Sequence, residues 1–186
     1  MPIDLNKQFR FALAKSLTLT AKEAQKEVLG ELRETFTIRT NWLQPSNAMG
    51  IKVLPADRND LSAAVVTRAG WLGLHEVGGI KLPSGTFIAV PTKNVKRTKR
   101  DIIQRRSRPR QLTKTFIGTG KSGRKIIYQK TGKGERAKVR AMYILIEAAQ
   151  IEKEPTVTTP TVKVFQDRFS TILFSELKSA LATAKR

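Results

Sequence analysis

Between Lys93 and Arg140 the chain opens KNVKRTKRDIIQRRSRPRQLTK and closes GTGKSGRKIIYQKTGKGERAKVR, with 18 Lys and Arg against two acids, Asp101 and Glu135. A stretch carrying +16 cannot enter a core, because each unpaired buried charge costs several kcal/mol. It must stay in water or meet a polyanion. The 186-residue chain carries +20, so the other 138 residues hold 17 basic and 13 acidic side chains, about +4. The charge is thus concentrated in one segment of an otherwise mildly basic chain. Like-charge repulsion and five glycines (Gly118, Gly120, Gly123, Gly132, Gly134) predict an extended basic arm over 93–140, partly disordered in the isolated chain. A strand at Lys125–Gln129 would make its second half a hairpin.

The remaining sequence reads as one domain over 1–186, long enough to bury a core. Asp4 is a candidate N-cap for a helix running to Phe36. Its apolar stripe is Phe9, Leu13, Leu17, Ala21, Ala24, Val28, Leu32 and Phe36, which would cover a sheet, while Lys15, Lys22, Glu23, Lys26, Glu27, Arg33 and Glu34 face water. Thr18, Thr20 and Gly30 weaken this helix and predict a break near Leu19. Short strands are expected at Ile51–Leu54, Ala63–Thr67, Trp71–Leu74 and Thr86–Val90, with Asp57–Asp60 as a turn and Pro91 stopping the ladder or lying on an edge. Met142–Ile146 is a further apolar strand. After a linker over Glu152–Pro160, Thr159-Pro160 opens a second helix reaching Ala184. Its stripe holds one polar intruder, Glu176, and Lys178, Lys185 and Arg186 complement its C-terminal dipole. The fold class is α+β: a mostly antiparallel sheet packed by long N- and C-terminal helices, with the basic insertion between them.

Several chemistries are weighed and set aside. There is no cysteine, so disulfides, thiolate metal sites and cysteine nucleophiles are excluded; this composition fits a reducing cytoplasm. No run of about 18 apolar residues exists, so no membrane span or membrane partner is expected. The single histidine, His75, stands beside Glu76 without the further ligands a metal needs, and neighbours on a strand point to opposite faces. Asp57, Asp60 and Glu76 are the residues a metal-dependent nuclease reading would need, but Asp57–Asp60 reads as a turn. In GTGKSG the first glycine of a phosphate-binding loop is replaced by Thr115, and a glycine-rich hairpin is the better account. No enzyme activity and no cofactor are expected. The cationic segment is the strongest signal, with Lys96, Arg97, Lys99, Arg100, Arg105, Arg106, Arg108 and Arg110 in one cluster and Lys121, Arg124 and Lys125 in a second. Lysine and arginine neutralise phosphates without reading sequence. Phe116 and Tyr128 are its only aromatics, too few for a base-stacking platform.

The order of features carries a resemblance. Leu74-His75-Glu76-Val77-Gly78-Gly79, then Pro83-Ser84-Gly85, then Phe87-Ile88-Ala89-Val90-Pro91-Thr92 resembles the core of tailed-bacteriophage tail-completion and head–tail joining (neck) proteins. With the long first helix, basic middle, MYIL strand and closing helix, the chain is similar to the minor tail protein Z branch of that group. The resemblance implies a structural virion protein at the head–tail junction, made in the host cytoplasm. It would form a ring of copies around the DNA channel, touching tail, neck or portal proteins and genomic DNA. His75, Glu76, Gly78, Gly79 and Pro91 would then be structural turn residues, since glycine permits positive φ. The other reading is a stand-alone basic nucleic-acid-binding protein, ribosome- or nucleoid-associated.

Overall fold

The computed structural model describes residues 5–132 and 137–183. Asp4, Gly134, Glu135, Ala184, Lys185 and Arg186, to which roles are assigned above, lie outside the described residues. The class is α+β, with every strand pair antiparallel. Two compact units make up the chain: Met1–Gly78 with Lys153–Arg186, and Gly79–Glu152.

In the first unit, helix α1 (Leu5–Thr35) runs unbroken through Leu19 and packs along helix α3 (Thr158–Thr183). Small buried residues (Ala12, Ala14, Ser16, Thr20, Ala21 and Ala24) line α1 and let its neighbours approach closely. The hydroxyls expected to weaken the helix are satisfied within it: Ser16 Oγ donates to Ala12 O (2.6 Å) and Thr20 Oγ1 to Ser16 O (2.9 Å). Thr18 Oγ1 donates to Ala14 O (2.9 Å) and accepts the Ala56 N–H (3.0 Å). The stripe ends in water, since Phe9 is exposed while Val28 and Leu32 are fully buried. Glu176, the polar intruder of α3, is paired with Lys15 of α1 at 2.7 Å.

Strands β1 (Lys52–Leu54) and β2 (Ala64–Val66) form a ribbon that α1 also contacts. Its connection turns at Asp57, whose Oδ1 accepts the N–H groups of Asn59 (2.6 Å) and Asp60 (2.8 Å) and whose carboxyl is thereby held below its ordinary pKa. The expected strand at Trp71–Leu74 is a helix, α2 (Gly70–Val77). Helical spacing sends Leu72 into the core with Val28, Leu32, Leu43, Ile51 and Ala69. It also brings Trp71 edge-on to His75, four residues on, at 5.7 Å, and both rings meet Phe36 edge-on at 5.2 and 4.8 Å.

In the second unit, β3 (Gly79–Lys81) pairs with β8 (Ala149–Ile151), and a four-stranded sheet forms from β4 (Ile88–Pro91), β7 (Lys138–Ile146), β6 (Lys125–Thr131) and β5 (Thr115–Thr119) in that order. Pro91 closes the edge strand β4, where its missing N–H removes no ladder bond from a central strand. The segment expected to be an extended arm is built into this unit. Its described residues supply β5, β6, most of the basic half of β7, and two 3-10 turns at Arg105–Ser107 and Pro109–Gln111. The physical reason is the apolar residues set among the cations: Val95 is buried with Met142 and Tyr143, and Ile103, Leu112 and Ile127 pack against them.

Candidate functional site

The second unit holds 19 Lys and Arg against four acids, a net +15, whereas the first holds 16 against 11, or +5. How the fold displays those cations follows from one irregularity. Between Ile127 and Tyr128 the β6–β7 register shifts, so Ile127 faces Tyr143 and Tyr128 faces Ala141, leaving Met142 as the extra residue of a bulge. Met142 and Tyr143 are therefore both buried, packed with Val95, Ala89, Ile103, Leu112 and Ile127. Val95, Ile103 and Leu112 are the apolar feet by which the basic stretch 93–112 stands on the sheet. The Tyr143 hydroxyl fixes it there by donating to Ser107 O at 2.6 Å. Burial raises the Tyr143 pKa above 10.0, and the charge of Arg97 pulls it partly back.

Held in this way, the stretch folds tightly. An antiparallel bridge joins Arg97 to Ile103, with Gln104 N–H donating to Lys96 O (3.1 Å) and Thr98 N–H to Ile102 O (2.8 Å). Lys99 and Arg100 sit at the tip of this small hairpin, where Asp101 takes φ 60° and pairs with Arg97 at 3.3 Å. The 3-10 turns carry Arg105, Arg106, Arg108 and Arg110. GTGKSG is the β5–β6 turn, with Gly120 N–H donating to Arg124 O (2.9 Å) and Gly123 at φ 75°. It joins two antiparallel strands and opens no helix, so it lacks the helix N-terminus that a phosphate loop uses. Phe116 and Tyr128 stack on each other across this hairpin, centroids 5.4 Å apart, as a cross-strand pair.

All eleven cations singled out from the sequence are exposed. They do not form one patch. Lys96 and Arg106 line a cleft of about 650 Å³ together with Arg140 of β7, the amides Asn94, Gln104, Gln111 and Gln129, and the hydroxyls Ser107, Thr113 and Thr131. No acid lines it. Arg124 and Lys125 lie at the other end of β6, beside a hollow of about 460 Å³ that includes Glu147; Lys125 Nζ sits 4.9 Å from the Phe87 ring centre. Arg140 escaped the sequence reading because its place beside Lys96 and Arg106 is set by the β6–β7 register, where it faces Gln129.

The His75–Glu76 pair has a different role. Glu76 Oε1 accepts the Val157 N–H (2.7 Å) and Oε2 the Thr158 N–H (3.1 Å), which places a carboxylate on the N-terminus of α3. His75 O accepts the Glu154 N–H at 2.7 Å. Gly78 and Gly79 take φ 72° and 137°, which only glycine adopts readily. The Leu74–Gly79 run is a joint of the fold. Among the described residues no group of three His, Asp or Glu is placed to hold a metal, and no helix is long and apolar enough to cross a membrane.

A long helix, a basic antiparallel sheet unit and a cleft lined by Lys96, Arg106 and Arg140 define the kind of protein this is: an α+β chain with one strongly cationic unit. The chain belongs to a family of unknown function (DUF6441), whose pattern matches residues 4–143. No curated protein and no solved structure matches it.

Proposed function

We propose that this chain is a structural virion protein of a tailed bacteriophage. In this reading it completes the tail and helps join it to the DNA-filled head, as a ring of copies around the DNA channel. The observation that carries the reading is the part played by the Leu74–Gly79 run on which the resemblance rests. Glu76 caps α3, His75 packs against Phe36 and Trp71, and Gly78 and Gly79 turn the chain. A motif used in this way suits a structural protein, and the exposed cations of the second unit suit a neighbour that is DNA or an acidic neck or portal surface.

Electron microscopy of particles carrying a label on this chain tests the reading. The expected result is a symmetric ring of label at the head–tail junction. Particles that lack the chain, with the protein found on cellular RNA or DNA, would replace it by the second reading. That reading, a stand-alone nucleic-acid-binding protein, is favoured by the cleft whose described lining is cationic and polar. Changing Arg105, Arg106, Arg108 and Arg110 to Ser removes exposed charges and is expected to leave the fold intact but cut the yield of joined particles at least about tenfold. Wild-type yields of infectious particles would sink the assigned role of these arginines.

A further inference from the structure

We infer that the cleft bounded by Lys96, Arg106 and Arg140 is a binding site for the phosphodiester backbone of a nucleic acid. The inference deepens the polyanion-facing role given above to the second unit, and it stands whether or not the chain is part of a virion. Three features of the cleft point to this ligand. Among the described residues its charged lining is cationic, and none of the three cations is engaged in an ion pair. Its remaining polar lining is amide and hydroxyl, the side chains that join Lys and Arg in contacts to phosphate oxygens. It contains no aromatic ring, so it offers backbone neutralisation with no platform for bases.

The walls are also fixed before a ligand arrives. Arg106 sits in the 3-10 turn that Tyr143 fastens through Ser107 O, Lys96 is held by the Gln104 N–H bond to its carbonyl, and Arg140 is in the β6–β7 ladder. Cations on a fixed backbone lose less freedom on binding than cations on a loose arm. An acidic protein surface is the competing ligand. A volume of about 650 Å³, with Lys96 and Arg106 on the 93–112 stretch and Arg140 on β7, admits a narrow chain of phosphates more readily than a broad carboxylate face.

The experiment uses the full chain and fluorescence anisotropy with duplex DNA, single-stranded DNA and RNA of equal length, over a range of salt. One variant changes Lys96, Arg106 and Arg140 to Ser. A charge-matched control changes Lys121, Arg124 and Lys125 to Ser at the far end of β6, about 13 Å or more from the Arg140 register position at 3.3 Å per residue. The cleft variant is expected to bind at least about tenfold more weakly. Its log–log salt slope should be smaller by about 2 to 3, the share of three phosphate contacts. The control is expected to lose less than half as much, and the tightest of the three probes identifies the source of the backbone.

Equal losses in both variants would overturn the site in favour of diffuse electrostatics. Polyglutamate displacing nucleic acid at equal charge concentration, in a cleft-dependent way, would overturn the ligand class in favour of an acidic protein. Should the triple variant unfold, Arg106→Gln and Arg140→Gln separately, at exposed positions, are each expected to lower the slope by about 1. Unchanged slopes in both would overturn the proposal equally.

Discussion

At the scale of single residues, Glu76 joins two distant parts of the chain. The first turn of α3 contains no acid of its own, so a carboxylate from α2 supplies the charge and the two acceptors that its leading N–H groups need. Glu76→Ala removes both and is expected to cost about 1–2 kcal/mol, the range for losing a cap. Glu76→Gln keeps one acceptor oxygen and should recover about half. Thermal denaturation followed by tryptophan fluorescence measures both, since Trp71 lies in the same helix as Glu76. An alanine variant as stable as the parent would show that water replaces the cap without loss. From the sequence Glu76 reads only as a turn residue after an expected strand at Trp71–Leu74. Which segment it reaches depends on the long-range packing of α3, and no local pattern encodes that.

Among elements, the contrast between α2 and the helices α1 and α3 shows where sequence periodicity stops. Helices α1 and α3 span 31 and 26 residues, long enough for spacings of three and four to repeat many times. In the GWLGLHEV run of α2 four apolar residues fit a strand or one turn of helix equally well, and the tertiary position of Phe36 decides the matter. The basic segment misleads differently. Charge counted along the chain predicts repulsion, but the strands separate their cations onto exposed positions and keep Ile127, Met142 and Tyr143 inward. The eleven exposed cations were therefore legible as residues, whereas the cleft was not, because it depends on a bulge and a register.

The Tyr143 hydroxyl carries the element-scale prediction. Tyr143→Phe leaves the buried Ser107 carbonyl without its partner and is expected to destabilise the second unit by about 1–2 kcal/mol. The Tyr143 pKa is raised in the folded chain, so its contribution is fully present below pH 10.0, the unfolded value, and is lost as pH rises through the higher folded value. The stability gap between parent and Phe variant should thus be constant from neutral pH to about 10 and narrow above it. Chemical denaturation across that range measures it, and a gap that widens with pH would contradict the burial of this hydroxyl.

For the whole molecule, the division of charge sets how each unit responds to salt. With 19 cations against four acids in 74 residues, the second unit repels itself, and screening should stabilise it; the first, at 16 against 11, has little to gain. The aromatic residues separate the two responses. Both tryptophans, Trp42 and Trp71, lie in the first unit, and both tyrosines, Tyr128 and Tyr143, in the second. Raising NaCl from about 0.01 to 0.15 M shortens the screening length from about 30 to 8 Å. Relief of about 1 kcal/mol of repulsion corresponds to a rise of about 4–8 °C in the melting temperature of a unit this size. Near-UV circular dichroism of the tyrosines is therefore expected to show that rise, while the tryptophan-reported midpoint moves by less than half as much. A tyrosine midpoint that is flat or falls with salt would mean that the cations are already neutralised within the fold. In that case they would not be presented to a polyanion, and both the exposed clusters and the cleft would lose the electrostatic basis of their assigned roles.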